Sequence, residues 1–220
     1  MSLYTFAKHE ELPSIKSIPG LQIKESKDVS ILSQLGNITE KEVVKRVNNG
    51  NLAFIAYFHQ TPVAFGWMAM GKASIGELGH QFVLPPQNRY LWNFRTISAF
   101  RGLGIYPALL QYILRSEANK TDRFWIIHAP ENKSSLKGIL KAGFHHVGQL
   151  YVRSDGLPGF AANSLTNEEK KLIASMDFIF SEEPTTKCWS CNSPYMKMKA
   201  TTCCCKISGN ICTNPISINY

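Results

Sequence analysis

The sequence predicts a mixed α/β domain, a mostly antiparallel sheet with helices on its faces, and three observations carry that expectation. Apolar and aromatic runs of strand length outnumber helix-patterned ones and follow the order β, α, β, β, β, β, α, β, α, β. Short breakers containing Gly, Pro, Asn or Gln separate consecutive runs, so neighbouring strands can fold back on one another. A content of 44% hydrophobic and 18% charged residues in 220 supplies one well-buried core, of roughly 150 residues by the usual domain size, with an appendage.

Leu21 to Lys24 opens the fold as a strand. Thr39 to Val47 reads as a helix, with Asn37 or Thr39 as its cap, Glu40 and Glu42 in its first turn and Gly50 beyond its end. Leu52 to Phe58 and Val63 to Met70 read as strands joined by a hairpin turn at His59 to Pro62. Ile75 to Leu84 and Tyr90 to Ile97 form a further expected pair, divided by Pro85-Pro86-Gln87-Asn88. Pro107 to Ser116 reads as a helix, because Leu109, Leu110, Tyr112, Ile113 and Leu114 fall at helical spacing and a proline in the first turn forfeits no hydrogen bond. Phe124 to His128 is a short strand, Ser134 to Ala142 a helix stopped by Gly143, and Val147 to Val152 a last strand. Asn163 to Met176 adds a helix with Ser164 or Thr166 as cap. The expected division is a domain over 1–155, a helix and linker over 156–187, and a cysteine-rich tail over 188–220.

No apolar run approaches the ~20 residues of a membrane span, and the N-terminus lacks an apolar signal segment, which predicts a cytoplasmic protein without a membrane partner. The formal charge of +8 calls for a phosphate-bearing or otherwise anionic partner without choosing among cofactor, nucleic acid and membrane surface.

The choice comes from Asn93 to Leu110, where a strand leads into the turn Arg101-Gly102-Leu103-Gly104 and then a helix. Such a junction presents unpaired backbone N–H groups at the positive end of a helix dipole, which suits a pyrophosphate. Gly102 and Gly104 let the backbone approach a ligand, and Arg101 adds a cationic donor. Further on, Asn132-Lys133-Ser134-Ser135 opens a helix that ends at Ala142-Gly143-Phe144.

From Leu21 to Val152 the chain resembles the GNAT superfamily of acyl-CoA-dependent N-acyltransferases, in which an Arg/Gln-x-x-Gly-x-Gly/Ala turn cradles the coenzyme A pyrophosphate and a later Asn…Gly-Phe segment lies near the pantetheine and thiol. The resemblance implies that Arg101, Gly102, Leu103, Gly104, Ile105 and Tyr106 bind the pyrophosphate, mainly through backbone N–H groups. It implies that Thr96 and Ile97 pair their backbone with the pantetheine arm, and that Asn132 contacts the cofactor or the reacting end; Asn132 equally fits a helix N-cap. Two positions depart from the pattern. Tyr106 stands where the last glycine or alanine is usual, and Ile139 where many members carry a tyrosine that protonates the departing thiolate. Tyr106 or Tyr151 could replace that donor, and each also reads as structural.

The implied reaction moves an acyl group, acetyl by default, from acetyl-CoA or another acyl-CoA to the amine of a small molecule, amino sugar or peptide. An attacking amine must lose a proton, and Glu77 is the first candidate base, with His80 behind it; both also fit an ordinary polar surface. Strand alternation puts Asn93 and Arg95 on one face, where Arg95 either orients an anionic acceptor or is solvated. His145 and His146 point opposite ways on a strand and read as structural rather than as ligands of one metal ion.

All six cysteines lie beyond residue 187. Cys188-x-x-Cys191 is half of a zinc knuckle, and Cys203 and Cys205, with Cys212 competing, supply the other half of a structural zinc site. A thiol-rich unliganded tail, disulfides, or thioether rings built from Thr201-Thr202-Cys203-Cys204-Cys205 are the alternatives. Two other readings of the whole chain stand beside the enzyme: an acyl-CoA binder without turnover, and a nucleic-acid binder through a zinc-bound basic tail, for which Lys197, Lys199 and Lys206 are few.

Overall fold

The structure, a computed structural model, describes residues 1–129, 132–153, 155, 157–162 and 164–180. Strands β1 (Ser2–Ala7), β2 (Leu21–Glu25), β3 (Leu52–Phe58), β4 (Thr61–Ala69), β7 (Asn88–Thr96), β8 (Arg123–His128), β9 (His145–Val152), β10 (Pro158–Ala161) and β11 (Ile179–Phe180) make one sheet, in the order β11-β10-β9-β1-β8-β7-β4-β3-β2. Its pairings are antiparallel except β7 with β8 and β10 with β11, so the fold is the expected mixed α/β sheet, mostly antiparallel. β5 (Lys72–Ile75) and β6 (His80–Val83) form a separate hairpin.

Helices α3 (Ile105–Ser116) and α4 (Lys133–Lys141) cover one face, burying Leu109, Leu110, Ile113 and Ile139 against Phe54, Leu91, Phe124 and Ile126. Helices α1 (Val29–Gly36) and α2 (Glu40–Asn48) cover the other over Ile55, Phe65 and Trp67, while α5 (Asn167–Ser175) and the β5–β6 hairpin bury Trp125, Leu150 and Phe160. A fully buried Leu or Phe contributes about 1.5–3 kcal/mol, so these two apolar layers hold the sheet.

Several expectations are met at the level of single residues. Thr39 caps α2 through its hydroxyl, Thr166 caps α5 in a full capping box, and the β3–β4 hairpin turns on His59 and Gln60, both at positive φ. Others are corrected. Ile75 to Leu84 is not one strand beside β7: Gly76–Leu78 forms a 3-10 turn and Gly79 takes φ 59, which folds the segment into β5 and β6. Asn37 is not a helix start but the left-handed residue that ends α1, at φ 52. β1 enters the middle of the sheet between β8 and β9, and β10 and β11 extend the sheet past residue 155 to residue 180. Cys188, Cys191, Cys203 and Cys205 lie outside the described residues.

Candidate functional site

β7 and β8 run parallel only from Asn88↔Arg123 to Leu91↔Ile126. From Trp92 to Thr96, β7 stays with β4, whereas Ile127 and His128 stay with β1, so the two strands part and leave a split in the sheet. A bulge in β7 accompanies the split: Phe65 pairs with Arg95 and Trp67 with Trp92, so Gly66 alone faces Asn93 and Phe94. Asn93 accommodates the extra residue at φ 51. The bulge breaks the simple period-two alternation along β7. Trp92 packs toward α1 and α2, Phe94 toward α3, and Arg95 reaches back to the Leu35 carbonyl of α1, Nη1 to O 3.5 Å. Gly66 permits this, since a Cβ there would collide with the Phe94 ring.

The chain then makes a short 3-10 turn, Ser98–Phe100, and the glycine turn that starts α3. Gly102 and Gly104 take φ 81 and 83, the left-handed region that glycine enters freely. The N-cap is Gly104, which has no side chain to satisfy the first turn, and Pro107 has no N–H to offer. Among the described residues no backbone acceptor faces the N–H groups of Gly102, Leu103, Gly104, Ile105 and Tyr106. Arg101 is anchored to the strand end through Nε to the Thr96 carbonyl at 3.1 Å. The backbone of Ile97 is engaged, its N–H donating to Val63 at 2.8 Å and its carbonyl accepting from Phe100 at 2.9 Å.

These N–H groups lie beside a groove of about 560 Å³ lined by Gly102, Leu103, Gly104 and Pro107, by Phe58 and His59 of the β3–β4 turn, by Lys141 of α4 and by residues 15–19 of the β1–β2 loop. That loop is tied down on the way: Gln111 of α3 donates to the Pro13 carbonyl at 2.8 Å, and Pro13 packs so closely over Gly143 that no Cβ fits there. The ring of His59 sits over Gly20 and 4.5 Å from that of Phe58. Lys16, His59 and Lys141 thus converge on one groove from three segments, and none makes an ion pair among the described residues.

At the other end of the split, Asn132 caps α4, its Oδ1 accepting from Ser135 N–H at 3.0 Å, and its carbonyl lies 2.7 Å from His128 Nε2. Tyr106 leaves the phosphate-facing backbone and lays its ring between Phe94, 5.5 Å away, and Gly138, with Ser135 Oγ 3.4 Å from its hydroxyl. Burial pushes the Tyr106 hydroxyl well above the usual phenol range, against the hydrogen bond with Ser135, so it stays protonated. Tyr151 is buried two strands from β8, against Gly159 of β10.

The remaining expected residues lie elsewhere. Glu77 belongs to the 3-10 turn of the β5–β6 hairpin. His80 is buried under α5, its Nε2 2.9 Å from the Met176 carbonyl and its ring near Phe82 and Phe178, which corrects its reading as a surface polar residue. His145 bridges Glu10 and Glu169 at 3.0 and 3.5 Å, and His146 packs edge-on against Tyr4, with burial pushing its imidazole below the usual range. Among the described residues no group of His, Cys, Asp and Glu could hold a metal ion. Residues of the groove that sequence reasoning missed, Lys16, His59 and Lys141, carry no local signal; only the path of the β1–β2 loop assembles them.

No family model and no curated protein matches the sequence. Solved structures resemble it in part. An acetyltransferase of the GNAT family from Novosphingobium aromaticivorans is 14% identical at TM-score 0.45, over 66% of this chain and 59% of that one. A GNAT-family acetyltransferase from Colwellia psychrerythraea is 16% identical at TM-score 0.47, over 66% and 52%. AAC(6')-Iy in complex with the bisubstrate analogue CoA-S-monomethyl-acetylneamine is 16% identical at TM-score 0.44, over 57% and 90%. The chain therefore spans little more than half the length of the first two. Among the described residues no helix is long and apolar enough to cross a membrane.

Proposed function

We propose that the protein is an acyl-CoA-dependent N-acyltransferase that moves an acyl group, acetyl by default, to a primary amine. One observation carries the reading: N–H groups at the start of α3 with no backbone acceptor among the described residues open onto a groove lined by Lys16 and Lys141, directly beside the split between β7 and β8. The N–H groups of residues 102–106, the dipole of α3 and Arg101 hold the diphosphate, the groove cations Lys16 and Lys141 face the phosphate monoester, and the unpaired edge of β7 takes the amide-bearing arm.

The thioester carbonyl then lies at the bulge of β7. The neutral amine nitrogen attacks it and the C–N bond forms to give a tetrahedral oxyanion; the nitrogen passes its proton to water, and collapse of the oxyanion breaks the C–S bond and expels the thiolate. Regular pairing is interrupted at Asn93 and Phe94, and we assign the backbone N–H groups of this bulge to the oxyanion. With Ile139 in the core, Tyr106 is our candidate for protonating the sulfur, a reading supported by a hydroxyl that burial keeps protonated.

Calorimetry with coenzyme A and acetyl-CoA tests the reading: saturable heat supports it, and none with either ends it. Thiol release with a panel of amines separates an enzyme from a binder without turnover. If Tyr106 is the proton donor, Tyr106→Phe lowers kcat by about 10- to 100-fold with KM nearly unchanged, in the range of general acid catalysis; an unchanged kcat makes Tyr106 a packing residue.

A further inference from the structure

The groove beside the glycine turn is larger and more apolar than phosphates alone require. At about 560 Å³ it falls within the roughly 300–1,000 Å³ of a small-ligand site, and Ile15, Ile18, Pro19, Phe58, Leu103 and Pro107 give it mostly apolar walls. One residue of that lining adopts a backbone conformation its type disfavours. Phe58 pairs with Thr61, so His59 and Gln60 alone make the β3–β4 turn, at φ 45 and 68. Turns of this kind ordinarily carry Asn or Gly, which enter the left-handed region readily, so turn chemistry does not account for a histidine there. Its surroundings hold it in place. His59 N–H donates to the Gly20 carbonyl at 3.0 Å, and its ring covers Gly20 so closely that no Cβ fits. Phe58, 4.5 Å from that ring, leans in turn on Phe100 at 5.9 Å. The result is an exposed aromatic ring, clamped on the wall of an apolar groove.

The apolar walls adjoin the phosphate-binding turn directly: Ile18 Cδ1 lies 3.7 Å from where a Cβ on Gly104 would stand. Lys16 and Lys141 stand on the same lining. A group that fits here is flat, apolar on its faces and joined to phosphates, which describes a nucleoside base. Among the described residues that line the groove, none is an Asn, Gln, Asp or Glu, the side chains that read a base through hydrogen bonds to its edge. We infer that the groove is a purine slot, in which the base of coenzyme A stacks on the His59 ring against the β1–β2 loop and is held by its faces rather than by its edge. The nucleoside bisphosphate half of the cofactor is then a ligand in its own right, and guanine serves nearly as well as adenine. This inference rests on the acyltransfer reading above, which lays the diphosphate at the glycine turn.

Calorimetry and displacement of coenzyme A test the slot, with coenzyme A, adenosine 3′,5′-bisphosphate, guanosine 3′,5′-bisphosphate and 4′-phosphopantetheine as probes. Both bisphosphates bind alone and displace coenzyme A, the guanosine form within about fivefold of the adenosine form, because stacking tolerates any purine. Phosphopantetheine, which has no base, binds about tenfold or more weakly than coenzyme A. His59→Asn removes the ring while keeping a residue suited to positive φ; it weakens coenzyme A and both bisphosphates about tenfold and leaves phosphopantetheine unchanged, and His59→Phe restores most of the loss. Should His59→Asn fail to fold, the ligand series on the parent protein still decides the matter. Bisphosphates that do not displace coenzyme A, a guanosine form more than about fivefold weaker, phosphopantetheine as tight as coenzyme A, or a folded His59→Asn protein that binds coenzyme A like the parent or loses phosphopantetheine equally each overturns the inference. Heat with coenzyme A but none with the bisphosphates removes the inference alone; no heat with coenzyme A removes the acyltransfer reading and the inference with it.

Discussion

At the scale of the residue, the proposed function rests on positions whose backbone would do the binding. Gly104 sits at φ 83, and a Cβ there would meet nothing nearer than Ile18 Cδ1 at 3.7 Å, so strain rather than crowding governs its replacement. Gly104→Ala should cost about 1 kcal/mol of stability, lowering Tm by about 2–4 °C, and should weaken coenzyme A binding as the N–H groups of the turn shift. On the proposed reading Lys16 and Lys141 contribute charge to the groove. Lys16→Ala and Lys141→Ala should each weaken coenzyme A about threefold to tenfold while changing dephospho-coenzyme A less, because an exposed cation with a phosphate monoester has a modest, salt-screened worth; equal losses for both ligands would place the lysines at the diphosphate instead. Arg101 and both glycines are legible in the sequence because their role is local. Lys16 is not, because its role depends on where a distant loop is laid.

At the scale of the element, β7 is the part on which most depends. Its bulge turns Trp92 and Phe94 to opposite faces, where strict period two would have put them together. A strand pattern read from sequence carries no mark of a bulge, since one residue's change of phase looks like an ordinary imperfection of alternation. The fit of α4 against this strand is close. Gly138→Ala raises helix propensity, yet its Cβ would collide with the Tyr106 ring wedged against Phe94. The collision should win, with a loss of about 1–3 kcal/mol in denaturant unfolding; a stabilised variant would show that Tyr106 is free to move.

At the scale of the whole molecule, α5 is bound to the sheet by charge as well as by burial. Buried Arg123 of β8 meets Glu168 at 3.2 Å and Glu169 at 3.5 Å. For the Glu169 carboxyl, burial alone pushes upward, but the hydrogen bonds from Thr166 and His145 and the charge of Arg123 outweigh it and hold the group below its ordinary 4.5. The folded state therefore favours the ionised form. The stability this contributes is present above about pH 4.5 and disappears as pH falls through the lower folded value. Thermal unfolding from pH 7 downward should show that acid loss in the parent protein, and Glu169→Gln should begin less stable and flatten it. An unchanged acid limb would mean that the carboxyl does not couple to folding.

By itself the sequence determined what is decided within a few neighbouring residues: the α/β class, the caps of α2 and α5 to one of two candidates each, the β3–β4 hairpin, and the glycine turn that opens α3. Hydrophobic period, cap chemistry and positive-φ residues act over one or two turns of chain, so they can be read along it. The tertiary structure alone decided that β1 enters the middle of the sheet, that β7 and β8 part, that His80 is buried under α5, and that Lys16, His59 and Lys141 share one groove. Each of these depends on contacts between segments far apart in sequence, where side-chain packing and strand pairing choose among arrangements that the local pattern leaves equal.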